Sequence, residues 1–179
     1  MPSAEDPLID FQTLYERHAE VVYRFALYLS GDAMSAEDIV SETFIRVWDA
    51  RERVELTTVR SYLLAIARNV FLHGWRGERR LVDVPDSLPD PRPDAQERIE
   101  RESELSAALA ALQELPEIDR AAVLLRAQEV PYAEISTMLG LPVVAVRVRV
   151  HRARTRLARI AGSKSAEWTD GGVKRNADH

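Results

Sequence analysis

The sequence predicts an all-α fold: two small helical domains joined by a flexible linker, the second carrying a helix-turn-helix. Three observations lead there. In the first half of the chain apolar residues recur at steps of three and four, the spacing of one helix face, and no strand-like alternation is sustained over four positions. Near the middle, LVDVPDSLPDPRPDAQE (81–97) sets prolines at 85, 89, 91 and 93, and proline cannot stand in a helix interior. In the second half, PYAEISTML, GLP and VVAVRVRVHRARTRLARI (131–160) place two helical patterns around a short turn containing Gly140.

Taken in order, Phe11, Leu14, His18, Val22, Phe25 and Leu29 form one face of the first helix, which Gly31 and Asp32 end. Ser35, three residues before Asp38, resembles a capping box and is expected to open a second helix carrying Ile39, Val40, Phe44, Val47 and Trp48. After the polar break ARERVELTT (50–58), a third helix puts Val59, Tyr62, Leu63, Ile66, Val70 and His73 on one stripe and ends in basic RGERR (76–80). These elements make a first domain, 8–80, and residues 81–98 are expected to be an extended acidic tether. The second domain, 99–162, holds a helix marked by Leu105, Leu109 and Leu112, and a break at Pro116. Next come a helix marked by Ile118, Ala122 and Leu125, and then the helix-turn-helix. Residues 163–179 show no periodicity and are expected to be disordered.

Composition narrows the function. The chain has 179 residues, 46% of them apolar and 30% charged, enough for real cores under a polar surface. The absence of cysteine excludes disulfide and thiolate chemistry and fits a reducing, cytoplasmic setting. The acidic opening MPSAEDPLID is unlike a signal peptide, and no apolar run approaches the ~20 residues of a membrane span, so no membrane insertion is expected. Seven glycines form no phosphate-cradling loop, and the four histidines (18, 73, 151, 179) lack metal-ligand spacing. Adjacent Glu37 and Asp38 read better as helix N-terminal charge than as an acid/base pair. No catalytic residue, metal or cofactor is expected.

The net charge is −5, yet arginines stand at 147, 149, 152, 154, 156 and 159, and residues 135–166 contain no acid. On a helix at ~100° per residue, Val146, Val150, Ala153, Leu157 and Ile160 share one stripe. Val148, His151, Arg152, Thr155 and Arg159 face the other way, with Arg147, Arg149, Arg154 and Arg156 on the shoulders. A segregated basic face beside a helix-turn-helix is the footprint of phosphate binding. Val148, at the centre of that face, suits contact with a thymine methyl in the major groove.

Three segments, AEDIVSETFIRVW (36–48), RSYLLAIARNVFLHGWRGERR (60–80) and LPEIDRAAVLLRAQEVPYAEISTMLGLP (115–142), resemble bacterial RNA polymerase sigma factors of the extracytoplasmic-function (ECF) group. Their order and spacing match too, over about residues 8–162. The resemblance implies a sigma factor, not an enzyme, that binds core RNA polymerase and directs promoter-specific initiation. It would recognise the −35 element as duplex and melt the −10 element, and an anti-sigma factor would silence it. It also implies site residues. Asp38, Glu42, Arg46 and Trp48 would dock on core polymerase, although Glu42 and Arg46 could equally pair within their helix. Arg60, Asn69, Trp75, Arg76, Arg79 and Arg80 would hold the −10 strand, the Asn69 amide offering donor and acceptor to a flipped base. Ala145, Arg147, Val148, Arg149, His151, Arg152 and Arg156 would meet the −35 duplex.

The chain departs from the family pattern in places. His73 stands where the family usually has Asp, and Val144-Ala145-Val146-Arg147-Val148-Arg149 lacks two hydroxyls usual in the recognition helix. A −35 preference therefore does not carry over. The rival readings are a helix-turn-helix regulator with an N-terminal dimerisation or sensing domain and, less in keeping with the basic helix, an anti-sigma or adaptor protein.

Overall fold

The computed structural model describes residues 11–49, 59–74 and 95–170, with side chains omitted for 95–100 and 163–170. All regular structure among them is helical: α1 (Phe11–Ser30), α2 (Ala33–Asp49), α3 (Val59–Gly74), α4 (Ala95–Gln113), α5 (Glu117–Ala127), α6 (Tyr132–Leu139) and α7 (Val143–Asp170). The chain divides into two compact units, Met1–Ser103 and Glu104–His179, so the dividing line falls within α4.

In the first unit α1, α2 and α3 pack mutually. The core takes Val22, Phe25, Ala26 and Leu29 from α1, Ile39, Val40, Phe44 and Val47 from α2, and Leu63, Leu64, Ala67 and Phe71 from α3. The α1 face agrees with its sequence spacing. The stripe on α3 agrees in part: Val59, Leu63 and Val70 are buried as expected, but so are Leu64, Ala67 and Phe71, while Tyr62 and Ile66 are only half-buried and His73 is exposed. α3 touches both other helices and is apolar nearly all round, so periodicity alone fixes no single buried face.

The turn between α1 and α2 also differs from the expected capping box. Gly31 takes a left-handed φ of 79° and its N–H donates to the Leu27 carbonyl at 2.7 Å, the usual way a helix ends on glycine. Asp32, not Ser35, then caps α2: its carboxylate accepts the Ser35 N–H at 2.7 Å, and Ser35 lies inside the helix. Within the core, Thr43 is fully buried and its hydroxyl finds no partner among the described residues.

In the second unit α5 is buried on nearly every side, from Arg120 to Leu125, and packs on both α6 and α7. Two turns of one design frame α6. At the end of α5 the Glu129 N–H donates to the Arg126 carbonyl at 3.0 Å and the Val130 N–H to the Leu125 carbonyl at 3.2 Å. At the end of α6 the Leu141 N–H donates to Ser136 at 3.1 Å. Both carry a left-handed residue, Glu129 and Gly140, each at φ 64°.

Two boundaries move. The linker expected through 98 gives way to α4 at Ala95, because the last proline is Pro93 and Ala, Gln, Glu and Arg after it are good helix formers. α7 runs on through Gly162 to Asp170 where disorder was expected from 163. One glycine costs a helix only about 1 kcal/mol, too little to stop it.

Candidate nucleic-acid interface

α6 and α7 form the helix-turn-helix. Pro131 stands at the N-cap position of α6 with its carbonyl accepting the Ile135 N–H at 3.0 Å, Ile135 and Leu139 anchor the helix, and left-handed Gly140 turns the chain into Pro142 and α7. Val146, Val150 and Ala153 are fully buried and seat α7, while Leu157 and Ile160 are half-buried at its far end. Burying that stripe forces the opposite face outward. Val144 is 73% exposed and Val148 41%, and His151, Arg152, Thr155, Arg156 and Arg159 are exposed around them, with Ala145 half-buried.

The shoulder arginines behave differently. Arg149, on the flank toward α5, places Nη1 2.6 Å from the Asp119 carboxylate. Arg147, on the other flank, lies with its guanidinium 4.9 Å from the centre of the Tyr132 ring, and Arg126 lies 5.1 Å from the same ring. Tyr132 thus joins α7 to the start of α6 by cation–π contact. Arg152, Arg154, Arg156 and Arg159 have no acidic partner among the described residues. Sequence reasoning missed Asp119, Tyr132 and Arg126. Asp119 stands 30 residues before its partner, so no local pattern signals the pair.

In the first unit, the exposed face of α2 carries two adjoining strips. At ~100° per residue, Asp38, Glu42 and Arg46 lie within about 80° of one another, and Ile45, Ser41 and Trp48 follow on one side. Glu42 accepts from Arg46 Nε at 2.7 Å, the intrahelical pairing weighed above, with both side chains nearly half exposed. Asp38 is exposed. Trp48 (45% exposed), Ile45, Ser41 and Phe44 join Phe11 and Tyr15 of α1 around an apolar hollow of about 410 Å³. The Phe11 ring meets Trp48 edge-on at 5.0 Å, and Tyr15 meets Phe44 at 4.8 Å.

The expected −10 residues are only partly in view. Trp75, Arg76, Arg79 and Arg80, like ARERVELTT, lie outside the described residues. Asn69 is exposed on α3, and its backbone carbonyl accepts from His73 Nδ1 at 2.6 Å. Arg60 is half-buried beside His18. Nine residues apart, Arg60 and Asn69 fall about 180° around the helix from each other, so α3 does not bring them together. Among the described residues no His, Cys, Asp and Glu cluster could hold a metal ion, and no helix is long and apolar enough to cross a membrane.

Comparison with known proteins agrees with this geometry. Residues 14–81 match the Sigma-70 region 2 family and residues 105–157 match Sigma-70 region 4. The ECF RNA polymerase sigma factor SigL of Mycobacterium tuberculosis is 32% identical over 151 residues, which span 79% of this chain and 83% of SigL. The chain belongs to the ECF RNA polymerase sigma factor family. SigE of Mycolicibacterium smegmatis, another ECF RNA polymerase sigma factor, is 40% identical over 163 residues, covering 86% of this chain but 62% of SigE. Two solved structures share the fold. The sigma factor RpoE of Bartonella quintana, in complex with the anti-sigma factor NepR, gives a TM-score of 0.67 at 22% identity over 86% of this chain and 97% of RpoE. CnrH, in complex with the cytosolic domain of CnrY, gives 0.64 at 23% identity over 86% and 88%.

Proposed function

We propose that this ECF sigma factor binds core RNA polymerase and directs promoter-specific transcription initiation. Its first unit docks on the polymerase through Asp38, Glu42, Arg46 and Trp48 and holds the melted −10 strand through Asn69, Trp75, Arg76, Arg79 and Arg80, without Arg60 on the other side of α3. Its second unit lays α7 in the major groove of the −35 duplex, with Ala145, Arg147, Val148, His151, Arg152 and Arg156 toward the DNA. The observation that carries the reading is the exposed face of α7 over residues 143–162, which holds no acid, on a helix-turn-helix: uncompensated arginines on one helix face fit the charge of a phosphate backbone. RpoE was solved in complex with an anti-sigma factor, and a protein partner of that kind would hold this chain silent. It needs no cofactor, performs no catalysis itself and works in the cytoplasm.

Run-off transcription with core polymerase on genomic fragments tests this reading. New, discrete transcripts that need both core enzyme and this chain support it. A chain that binds duplex DNA but neither retains core polymerase in a pull-down nor yields transcripts is instead a helix-turn-helix regulator.

A further inference from the structure

Arg149 and Asp119 join α7 to the first turn of α5 at 2.6 Å, with side chains 36% and 18% exposed. The surface pair Glu42–Arg46 is more open, at 43% and 45%, and joins neighbours on a single helix. The Asp119–Arg149 pair therefore does something the surface pair cannot: it ties two helices whose pairing residues are 30 positions apart. Asp119 sits where a helix N-terminus favours negative charge. An arginine fork donates to carboxylate and phosphate oxygens in the same geometry, so a guanidinium held at Asp119 meets there the kind of acceptor that a DNA phosphate would offer. Moving it to a phosphate would leave a half-buried carboxylate without its counter-charge. On the opposite flank Arg147 rests near Tyr132 of α6, so α7 is gripped from both sides of its exposed face.

We propose that Asp119 stands in for a DNA phosphate at Arg149, making this arginine a positioning residue that fixes the rotation of α7 and keeping it out of the phosphate-contacting set. The proposal rests on the duplex-binding reading of α7. It assigns Arg149 a different task from Arg152 and Arg156, although all three are arginines of one helix. It also makes Asp119 a limit on affinity: removing its charge releases a cation to the DNA.

The test is the salt dependence of binding between the full-length chain and a fluorescein-labelled DNA duplex, measured by anisotropy. Each phosphate-contacting arginine adds about 0.9 to the slope of log K against log salt. Arg152→Ala is expected to flatten the slope by about that amount. Arg149→Gln is expected to leave it at the wild-type value. Asp119→Asn is expected to steepen it by about 0.9 and tighten binding at low salt, which a mere loss of structure would not do. Asp119→Glu retains the charge and the wild-type slope, and Asp119→Asn with Arg149→Gln returns to it.

A slope flattened by Arg149→Gln as much as by Arg152→Ala overturns the proposal, because Arg149 then contacts phosphate. So does an Asp119→Asn slope equal to wild type while Arg152→Ala still flattens it; in that case duplex binding by α7 stands. If circular dichroism shows Asp119→Asn unfolded, the Arg149→Gln slope decides alone. Should no variant, Arg152→Ala included, change the slope, duplex binding by α7 has failed and the proposal falls with it.

Discussion

The outer faces of α2 and α7 are both made by burying one side of an amphipathic helix, yet they offer opposite chemistry. On α2 the exposed charges include a pair that satisfies itself, Glu42 with Arg46, beside an aromatic hollow lined by Trp48, Phe11 and Tyr15. On α7 the outward arginines Arg152, Arg156 and Arg159 meet no acid among the described residues, and the apolar residues among them are small or β-branched. An aromatic hollow gains by excluding water from shaped contacts, and that share of its affinity resists salt. An unneutralised basic face gains by releasing counterions, and its affinity collapses as salt rises. The two faces thus suit partners of different kinds.

The largest effect that separates them is expected from Trp48→Ala. It should weaken binding to core polymerase by about 2–4 kcal/mol, as loss of a central aromatic anchor does, and leave duplex binding unchanged. Titration of labelled chain with core enzyme and with DNA checks both halves, and a loss on the DNA side would break the contrast. Next comes Arg152→Ala, expected to cost about 1–3 kcal/mol on duplex DNA and nothing on core enzyme. A third change sharpens the comparison by touching the frame beneath α2 without altering its face. Thr43→Val replaces an unpartnered buried hydroxyl with a methyl of the same shape and should raise stability by about 1 kcal/mol in urea melts, with core binding unchanged. Equal or lower stability would mean that the hydroxyl is satisfied by water.

The smallest effect concerns pH. Burial, with Arg17 and Arg60 nearby, holds His18 below its ordinary value of 6.5. The unfolded chain then takes up a proton near pH 6.5 that the folded first unit refuses. Its stability should be full above that pH and decline as pH falls through 6.5 toward the lowered folded value. The second unit should lack this contribution. Amide exchange in α1 at descending pH measures it, and His18→Gln should flatten the profile.

Much of this was legible in the sequence, for reasons that particular residues make plain. The seat of α7 on Val146, Val150 and Ala153 was readable because one side of that helix is apolar and the other basic. α3 was not, since Leu63, Leu64, Ile66 and Phe71 offer apolar groups on several sides and only packing against two helices selects among them. Ser35 matched a capping pattern, but α2 begins two residues earlier, where the Asp32 carboxylate accepts the Ser35 N–H from the N-cap position. Of the interface residues, exposure of Val148 and Arg152 followed from the wheel, whereas the diversion of Arg149 to Asp119 needs a contact that no periodicity encodes.

Buried Arg120 carries a last consequence. Its guanidinium donates to the Gln113 side chain at the end of α4, across the bend at Leu115 and Pro116, and burial lowers its pKa even as Glu117 opposes that shift. Fraying of the end of α4 from α5 would cost Arg120 this acceptor, so the stretch is expected to open together with α5 rather than ahead of it. In native-state hydrogen exchange, the amides of Ala111 and Leu112 should share the opening free energy of Leu124 and Leu125. The cooperative border of the second unit would then lie well inside α4, upstream of the proline that punctuates the sequence.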